Sequence, residues 1–461
     1  MAGPTAAAEL PAARDEVLAG HLGVDAVRDL ALHPLRYGVG GLLSHCLSGE
    51  VSPRALRLRR TKYKPGRSLS AYYDLALAEG TRPVAVQWSM QSGAPATVLE
   101  DTGSGLPPPA GLACLSASSD DQHTALSIAP ADPAMPQLAR LAQPDHLRTV
   151  LSHLNATPPV PAADISIRYV RYRPRQRHVL RVECVTPNGV EVSFVKIDRD
   201  NRAAHAVRVA DTVASLLSAA TPHAGLVQAW GYVDADRASV WRSAAGSLLT
   251  TSVCGTTSAA GPLAALGAGL RAVHDLDRSA LVQPGGDALG LPSHDATAEM
   301  GATVRAGEHL TGLLPALALR YLRLAGQVMD RLSLVSDEAP TLTHGDLKCD
   351  NVIAHRNTLR LLDLDRCGWG DPALDLGKLL ADLRWWGRWA GADVAGLTAA
   401  LLDGYGPTDA ARWQRARLLA VLFELKFAAR RAAVHDPAWR AQVEAQVTAA
   451  EAAFVTELVS G

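Results

Sequence analysis

The chain has 461 residues, 48% of them hydrophobic, with 45 Lys and Arg against 46 Asp and Glu and a net charge of -1. Such a length predicts two or three domains, and the near-neutral balance excludes a generally basic protein that binds nucleic acid by releasing backbone counterions. No basic stretch followed by an apolar run opens the chain and no uninterrupted apolar run approaches ~18 residues, so a cytoplasmic protein with no membrane partner is expected.

The first regular pattern is TKYKPGRSLSAYYDLALAEGTRPVAVQW, Thr61 to Trp88, which reads as strand, turn, strand, turn, strand, with Glu79-Gly80 at the second turn. VRYRPRQRHVLRVECVTPNGVEVSFVKI, Val170 to Ile197, reads the same way. There Val179, Arg181 and Glu183 interleave with Leu180, Val182 and Cys184, and Pro187-Asn188-Gly189 turns the chain into Val190 to Ile197. Slid past each other without a gap, Tyr63, Pro65, Gly80 and Val86 coincide with Tyr172, Pro174, Gly189 and Val195, while Gln87 falls opposite Lys196. Internal duplication and the general likeness of two charged β-meanders both account for this.

Between the two meanders, residues 92–132 have a loop-like Pro, Gly, Ser and Ala composition. Pro133 to Leu154 then reads as helix until Pro158-Pro159-Val160-Pro161 breaks it, and a domain boundary is placed there. Val207, Ala210, Val213, Ala214 and Leu217 carry helical spacing from Arg202 to Ala219, and Leu/Ala-periodic helices dominate after Gly261. The expected order is sheet first, helices after. The six cysteines show no metal-ligand rhythm and are read as reduced structural thiols.

Six aspartates crowd into residues 342–380, in LTHGDLKCDNVIAHRNTLRLLDLDRCGWGDPALDLGKLL. Asp346 precedes Asn351 by five residues, the interval at which an Asp orients a substrate hydroxyl and an Asn holds Mg²⁺ in a kinase catalytic loop. Asp363 follows at the end of an apolar strand (Leu359, Leu361, Leu362), where a metal-binding carboxylate would sit. Phosphoryl transfer requires positioning together with cancellation of phosphate charge, so carboxylates that gather metal must stand beside one that stays free for the nucleophile.

HGDLKCDN followed by LLDLD resembles the hallmark of the aminoglycoside phosphotransferase and choline kinase-like family, with maltokinase-like members resembled by the region before it. The resemblance implies an α+β, bilobal, protein-kinase-like fold: an amino-terminal cap (1–157), a small β-rich nucleotide lobe (158–245) and a large helical lobe (246–461). It implies ATP and Mg²⁺ as cofactors, Asp346 as the catalytic residue, and Asn351 and Asp363 as metal ligands. Lys196 would pair the nucleotide phosphates; His344 and Asp375 would brace the loop, and Asp371 would cap the following helix.

Several features depart from the family pattern. Asp365 stands in LDLD where protein kinases have Phe-Gly, and is read as a further metal-side carboxylate. The turn over the nucleotide, Arg173-Pro174-Arg175-Gln176-Arg177-His178, lacks glycine, so the side chains of Arg173, Arg175 and Arg177 are expected to take the phosphates instead of backbone amides. The helix after Lys196 offers no glutamate, which leaves Asp211 as its expected ion-pair partner. Three functions follow: a kinase for a hydroxyl on a small molecule, a kinase for Ser or Thr of a precursor peptide assisted by a partner protein, or a catalytically silent scaffold.

Overall fold

The computed structural model describes residues 14–47, 56–78, 80–90, 111–154, 161–199, 202–221, 224–255, 259–281, 290–356 and 358–460. Glu79, residues 92–110 of the loop-like stretch and the Pro158–Val160 break lie outside these residues.

Two antiparallel five-stranded sheets open the chain. The first contains β1 (Leu56–Lys64), β2 (Ser68–Leu77), β3 (Gly80–Ser89), β4 (Ser116–Ser118) and β5 (Thr124–Ile128), in the order β1-β2-β3-β5-β4. The second contains β6 (Ile165–Arg173), β7 (Arg177–Thr186) and β8 (Gly189–Asp198). After β9 (Ala224–Leu226), which belongs to another sheet, come its last strands β10 (Ala229–Val233) and β11 (Ala238–Arg242). Its order is β6-β7-β8-β11-β10, so each β4-type strand precedes the neighbour it pairs with in both sheets.

The gap-free match of the two meanders extends to every strand boundary: Leu56 and Ile165, Ser68 and Arg177, Gly80 and Gly189 each stand 109 residues apart. Burial follows the same alternation in both. Leu69, Ala71, Tyr73 and Leu75 face inward on β2, as His178, Leu180, Val182 and Cys184 do on β7. The sheets are covered differently. The first packs Trp88, Val84 and Val86 against the helices Gly23–Leu32 and Val39–Cys46, and the second takes its cover from the chain just before it.

That cover comes from the chain before the Pro158–Pro161 break. Pro144 divides the predicted long helix into Gln137–Leu141 and Pro144–His153. Met135, Leu138, Leu147 and Leu151 then bury themselves with Leu180, Val182 and Val195 of the second sheet. Residues 129–154 thus share the core of the β-rich lobe, although the sequence reading counted them in the cap.

The helix Arg202–Ala220 follows β8, packing Ala203, Ala206, Val209, Ala210 and Val213 inward. Beyond β11 the chain is helical apart from short strands. The hairpin Val352–His355 with Thr358–Leu361 takes β9 as a parallel neighbour, and the helices Ala373–Ala390, Val394–Tyr405, Ala410–Arg430 and Trp439–Ser460 pack behind it. The fold is α+β and bilobal, with a sheet lobe and a helical lobe as expected. Among the described residues no helix is long and apolar enough to cross a membrane. Cys46 and Cys114, far apart in sequence, bring their free thiols to 3.0 Å in the first sheet's domain.

Candidate active site

Asp346 lies on a loop that a single helix holds from behind. Asp375, Lys378 and Asp382 occupy i, i+3 and i+7 of Ala373–Ala390, so all three face one side. The Asp375 carboxylate accepts hydrogen bonds from the backbone N–H of His344 (2.6 Å) and Gly345 (2.9 Å). Asp382 accepts from the N–H of Cys349 at 2.7 Å and pairs with Arg431 at 2.5 Å. Lys378 places its ammonium 2.5 Å from Asp346 and 5.4 Å from the centre of the Phe423 ring. Gly345 adopts φ +73°, and a Cβ there would fall 2.1 Å from the Arg366 carbonyl oxygen, so the loop requires glycine.

His344 ties the loop to the next strand. Its Nε2 donates to the Leu362 carbonyl at 2.8 Å and its Nδ1 accepts from the Asp346 N–H at 3.3 Å, a tautomer assigned from these partners. Behind Asp375, the buried His274 contacts Tyr405 (2.7 Å) and Asp375 (3.5 Å). Asp371 accepts from the N–H of Ala373 at 2.8 Å in the helix's first turn and pairs with Arg415 at 2.7 Å.

Asn351 donates its amide N–H to the Asp346 carbonyl at 2.9 Å, which leaves its side-chain oxygen free. Burial alone would raise the Asp346 carboxyl, but the ammonium groups of Lys378 and Lys348 more than offset it and hold it at about 2. Asp346 is therefore ionised throughout the neutral range.

Across the cleft, two cations and three carboxylates interlock. Lys196 stands 2.9 Å from Asp363 and 3.9 Å from Asp365. Arg177 bridges Asp198 (2.6 Å), Asp363 (3.2 Å) and Asp365. Asp363 takes the left-handed region at φ +62°, unusual for a residue with a side chain and common where function over-determines the backbone. Burial works against its charge, yet Lys196 and Arg177 hold Asp363 far below the carboxylate range. Asp365 moves the other way: burial, reinforced by Asp363, pushes it up to about 6 despite Lys196. One Asp365 oxygen is buried without a hydrogen-bond partner. That orphaned oxygen, with the free Asn351 oxygen and Asp363, is a hard donor set that fits Mg²⁺, an ion usually held by one or two carboxylates plus substrate phosphates.

The cleft between the lobes encloses about 450 Å³, within the range of small-ligand sites. Arg171, Arg177, Lys196 and Arg242 line it with Phe194, Trp241 and Leu248. The Trp241–Ala244 segment, the end of the interior strand β11 and the residues just after it, lines this cavity.

Three of the expected nucleotide-side residues stand elsewhere. Lys196 pairs with Asp363, and Asp211 lies on the exposed side of its helix with no ion pair among the described residues, its carboxyl raised by partial burial. Asp211→Ala is accordingly expected to leave kcat/KM within about twofold, as for surface positions generally; a parallel kinetic measurement on Lys196→Ala provides the contrast. Arg173 belongs to the edge strand β6 and leans toward the cap, whereas Arg177, opposite it on the interior strand β7, meets Asp198 on β8. Arg175 sits at the hairpin tip beside Tyr72 and Ser70 of the first sheet.

The tip itself is held in a way sequence alone does not reveal. Arg175 has φ +64°, a conformation a glycine would normally supply. Asp132, from the loop after β5, accepts from the Arg175 backbone N–H at 2.8 Å and from His178 Nε2 at 2.7 Å, and the Tyr172 hydroxyl donates to the Ala131 carbonyl at 2.5 Å. Asp132→Ala would leave the buried His178 donor unpaired, at a cost of about 1–3 kcal/mol. Denaturant titration should show that loss together with a raised KM for nucleotide, because the hairpin over the cleft loosens.

The tryptophans of LRWWGRW serve packing. Trp385 lies against Trp389, Phe427 and Arg431 within the helical lobe.

The site thus combines a loop aspartate held ionised with a lysine and an arginine interlocked with carboxylates in the cleft beside it. Residues 175–419, more than half of the chain, match the family described as Phosphotransferase enzyme family (APH), and the chain belongs to that family. It is a kinase acting on a hydroxyl group. Among solved structures it is similar to a choline/ethanolamine kinase family protein from Mesorhizobium loti, at 16% identity over 67% of this chain and 94% of that one, with a TM-score of 0.45. It is also similar to choline kinase from Cryptosporidium parvum Iowa II (10%, 69% and 97%, TM-score 0.48) and to aminoglycoside 2'-phosphotransferase-IIIa in its GDP complex (12%, 67% and 98%, TM-score 0.46). No curated protein matches the chain.

Proposed function

We infer that the protein transfers the γ-phosphoryl group of ATP to a hydroxyl of a small molecule, with Mg²⁺ as the metal. The observation that carries this reading is the Asp346 carboxylate, half-buried, paired with Lys378 at 2.5 Å and tied to Asn351 across the loop.

At about 2, the Asp346 carboxyl is a weak base. Its role is to accept the hydrogen bond of the acceptor hydroxyl and aim that oxygen at the phosphorus, taking the proton only as the new P–O bond forms. A loose transition state needs no more, since little charge develops on the nucleophile early. Lys378 cancels the carboxylate's repulsion of the incoming phosphates. Lys196 and Arg177 supply cationic contacts for phosphate oxygens, and Phe194, Trp241 and Leu248 give the cleft an apolar wall suited to a base. Asn351, Asp363 and Asp365 would hold Mg²⁺, which neutralises phosphate charge when bound.

The test is label transfer from γ-labelled ATP with Mg²⁺ to sugars, amino sugars, sugar acids and Ser/Thr peptides. Label on a small hydroxyl compound supports the reading; label only on peptide, or nucleotide binding without transfer to any class, counts against it.

A further inference from the structure

We propose that the acceptor is an anionic small molecule, a phosphorylated or carboxylated sugar or polyol, whose acid group sits in a basic pocket where the cap, the hairpin tip and the helical lobe meet. The proposal rests on the phosphotransferase reading of Asp346 and names the substrate class for that site.

The pocket encloses about 410 Å³, room for a small ligand. Alternation along β1 brings Arg60, Lys62 and Lys64 to it from one strand face. Arg173 joins them from β6, His309 from the end of the helix Ala296–Glu308, and Arg430 from the last turn of Ala410–Arg430. Among the described residues no carboxylate lines the cavity. Elsewhere on this surface cations find acids: Arg59, beside Arg60, reaches Asp74 at 2.8 Å. Within the pocket, Lys62 reaches the Gln176 side-chain oxygen (3.2 Å) and Arg430 the Ala302 carbonyl (3.2 Å); among the described residues none of the six groups forms a salt bridge, and carboxylates act on them only through space, Glu299 on Arg430 and Glu308 on His309.

Like charges gathered without a counterion repel, and the titration behaviour agrees. Burial, then Lys64, Arg173, Arg60 and Arg430, lowers Lys62; burial, then Arg60 and Arg171, lowers Arg173 to about 10. An anion bound there relieves the repulsion and takes forked hydrogen bonds from the guanidinium groups.

The helix Ala410–Arg430 connects this pocket to the reacting hydroxyl. Phe423, Lys426 and Arg430 lie at i, i+3 and i+7 on one face. Phe423 lies under the Lys378 ammonium that holds Asp346, and Arg430 lines the pocket roughly 10 Å further along the axis. Lys426 is committed to Glu299, so the unpaired cations begin at Arg430. In the proposal the acceptor's hydroxyl lies at Asp346 and its anion toward Arg430 and Arg60, so the acceptor must be long enough to cover roughly two turns of this helix. The cap then has a role in recognition, because it contributes three of the pocket's six cationic or titratable groups.

The experiment uses the full chain. Inorganic phosphate is titrated calorimetrically with the nucleotide cleft saturated by ADP and Mg²⁺, for the wild type, Arg60→Gln and Arg430→Gln. The proposal expects one salt-sensitive phosphate site, weakened at least tenfold by either variant, with ADP affinity unchanged as the control for folding. Kinetics follow on matched acceptors with Mg²⁺ and ATP: a phosphorylated sugar, a sugar acid, the neutral sugar, the amino sugar and an acidic Ser peptide. An advantage of tenfold or more in kcat/KM for either small acid, abolished in Arg430→Gln, supports the proposal, and the two acids decide between phosphate and carboxylate. Preference for the neutral sugar, the amino sugar or the peptide, or phosphate binding indifferent to both substitutions, overturns it. If Asp346-dependent transfer persists under those results, only the pocket assignment fails; if transfer is absent from every arm, the phosphotransferase reading fails first.

Discussion

Asp346→Asn is expected to lower kcat about 10²- to 10⁴-fold, the range for loss of a positioned acid or base, while nucleotide affinity changes little. Asparagine keeps the shape of the side chain and its place beside Asn351. It loses the charge that attracts the acceptor's hydroxyl proton, and it leaves Lys378 without its counterion. Among the described residues Asp346 neither pairs with Lys196 or Arg177 nor lines the 450 Å³ cleft, which is why nucleotide binding should survive. Rapid-quench transfer and a nucleotide titration on the same preparation separate the two effects.

Lys378→Met should act on the same carboxylate through its titration. In the wild type, burial favours the protonated acid and Lys378, with Lys348, overrides it. Without Lys378 the burial effect gains ground, so the Asp346 carboxyl rises. A depressed carboxyl contributes stability that is fully present above its unfolded value of ~3.9 and is lost as pH falls through the folded value near 2, an effect of roughly 2–3 kcal/mol at neutral pH. The variant should therefore be less stable at pH 7, and the acid limb of kcat should move upward in pH. The pH profile of kcat checks the sign: an acid limb at or below the wild-type position would show that Lys378 does not control Asp346.

Much of this arrangement is legible in the chain, because local rules and tertiary contacts agree there. The HGDLKCDN spacing puts Asp346 and Asn351 on one loop, and the two contact each other at 2.9 Å. The meanders were legible because alternation and turn residues repeat at a constant offset, and both sheets keep the same strand order. Lys378 and Asp382 carry a signal of their own: with Asp375 they are charged and buried at i, i+3 and i+7 of the helix, a stripe that must face polar partners.

Other contacts had no local signal. Asp132 lies more than forty residues before the hairpin whose tip it holds, and nothing in its own neighbourhood marks it. The three arginines of the tip looked equivalent in sequence. Their fates differ because β6 is an edge strand and β7 an interior one, which is a property of the sheet and not of the hairpin. Asp211 is the acid that the following helix offers in place of a glutamate, yet Lys196 is satisfied from the other lobe by Asp363.

The repeated sheet also suggests how the amino-terminal region came to serve the site. Its β3 carries Gln87 where β8 carries Lys196, so it lacks the cation that faces the metal-side carboxylates. Its β1 instead presents three cations to the pocket, and the loop after its β5 holds the hairpin over the cleft.

The most direct test of the central claim is single-turnover transfer of label from γ-labelled ATP to a hydroxyl acceptor, comparing wild type with Asp346→Asn at equal nucleotide occupancy. The account predicts transfer by the wild type and a rate lower by a factor of about 100 or more in the variant. Equal rates in the two proteins would contradict it.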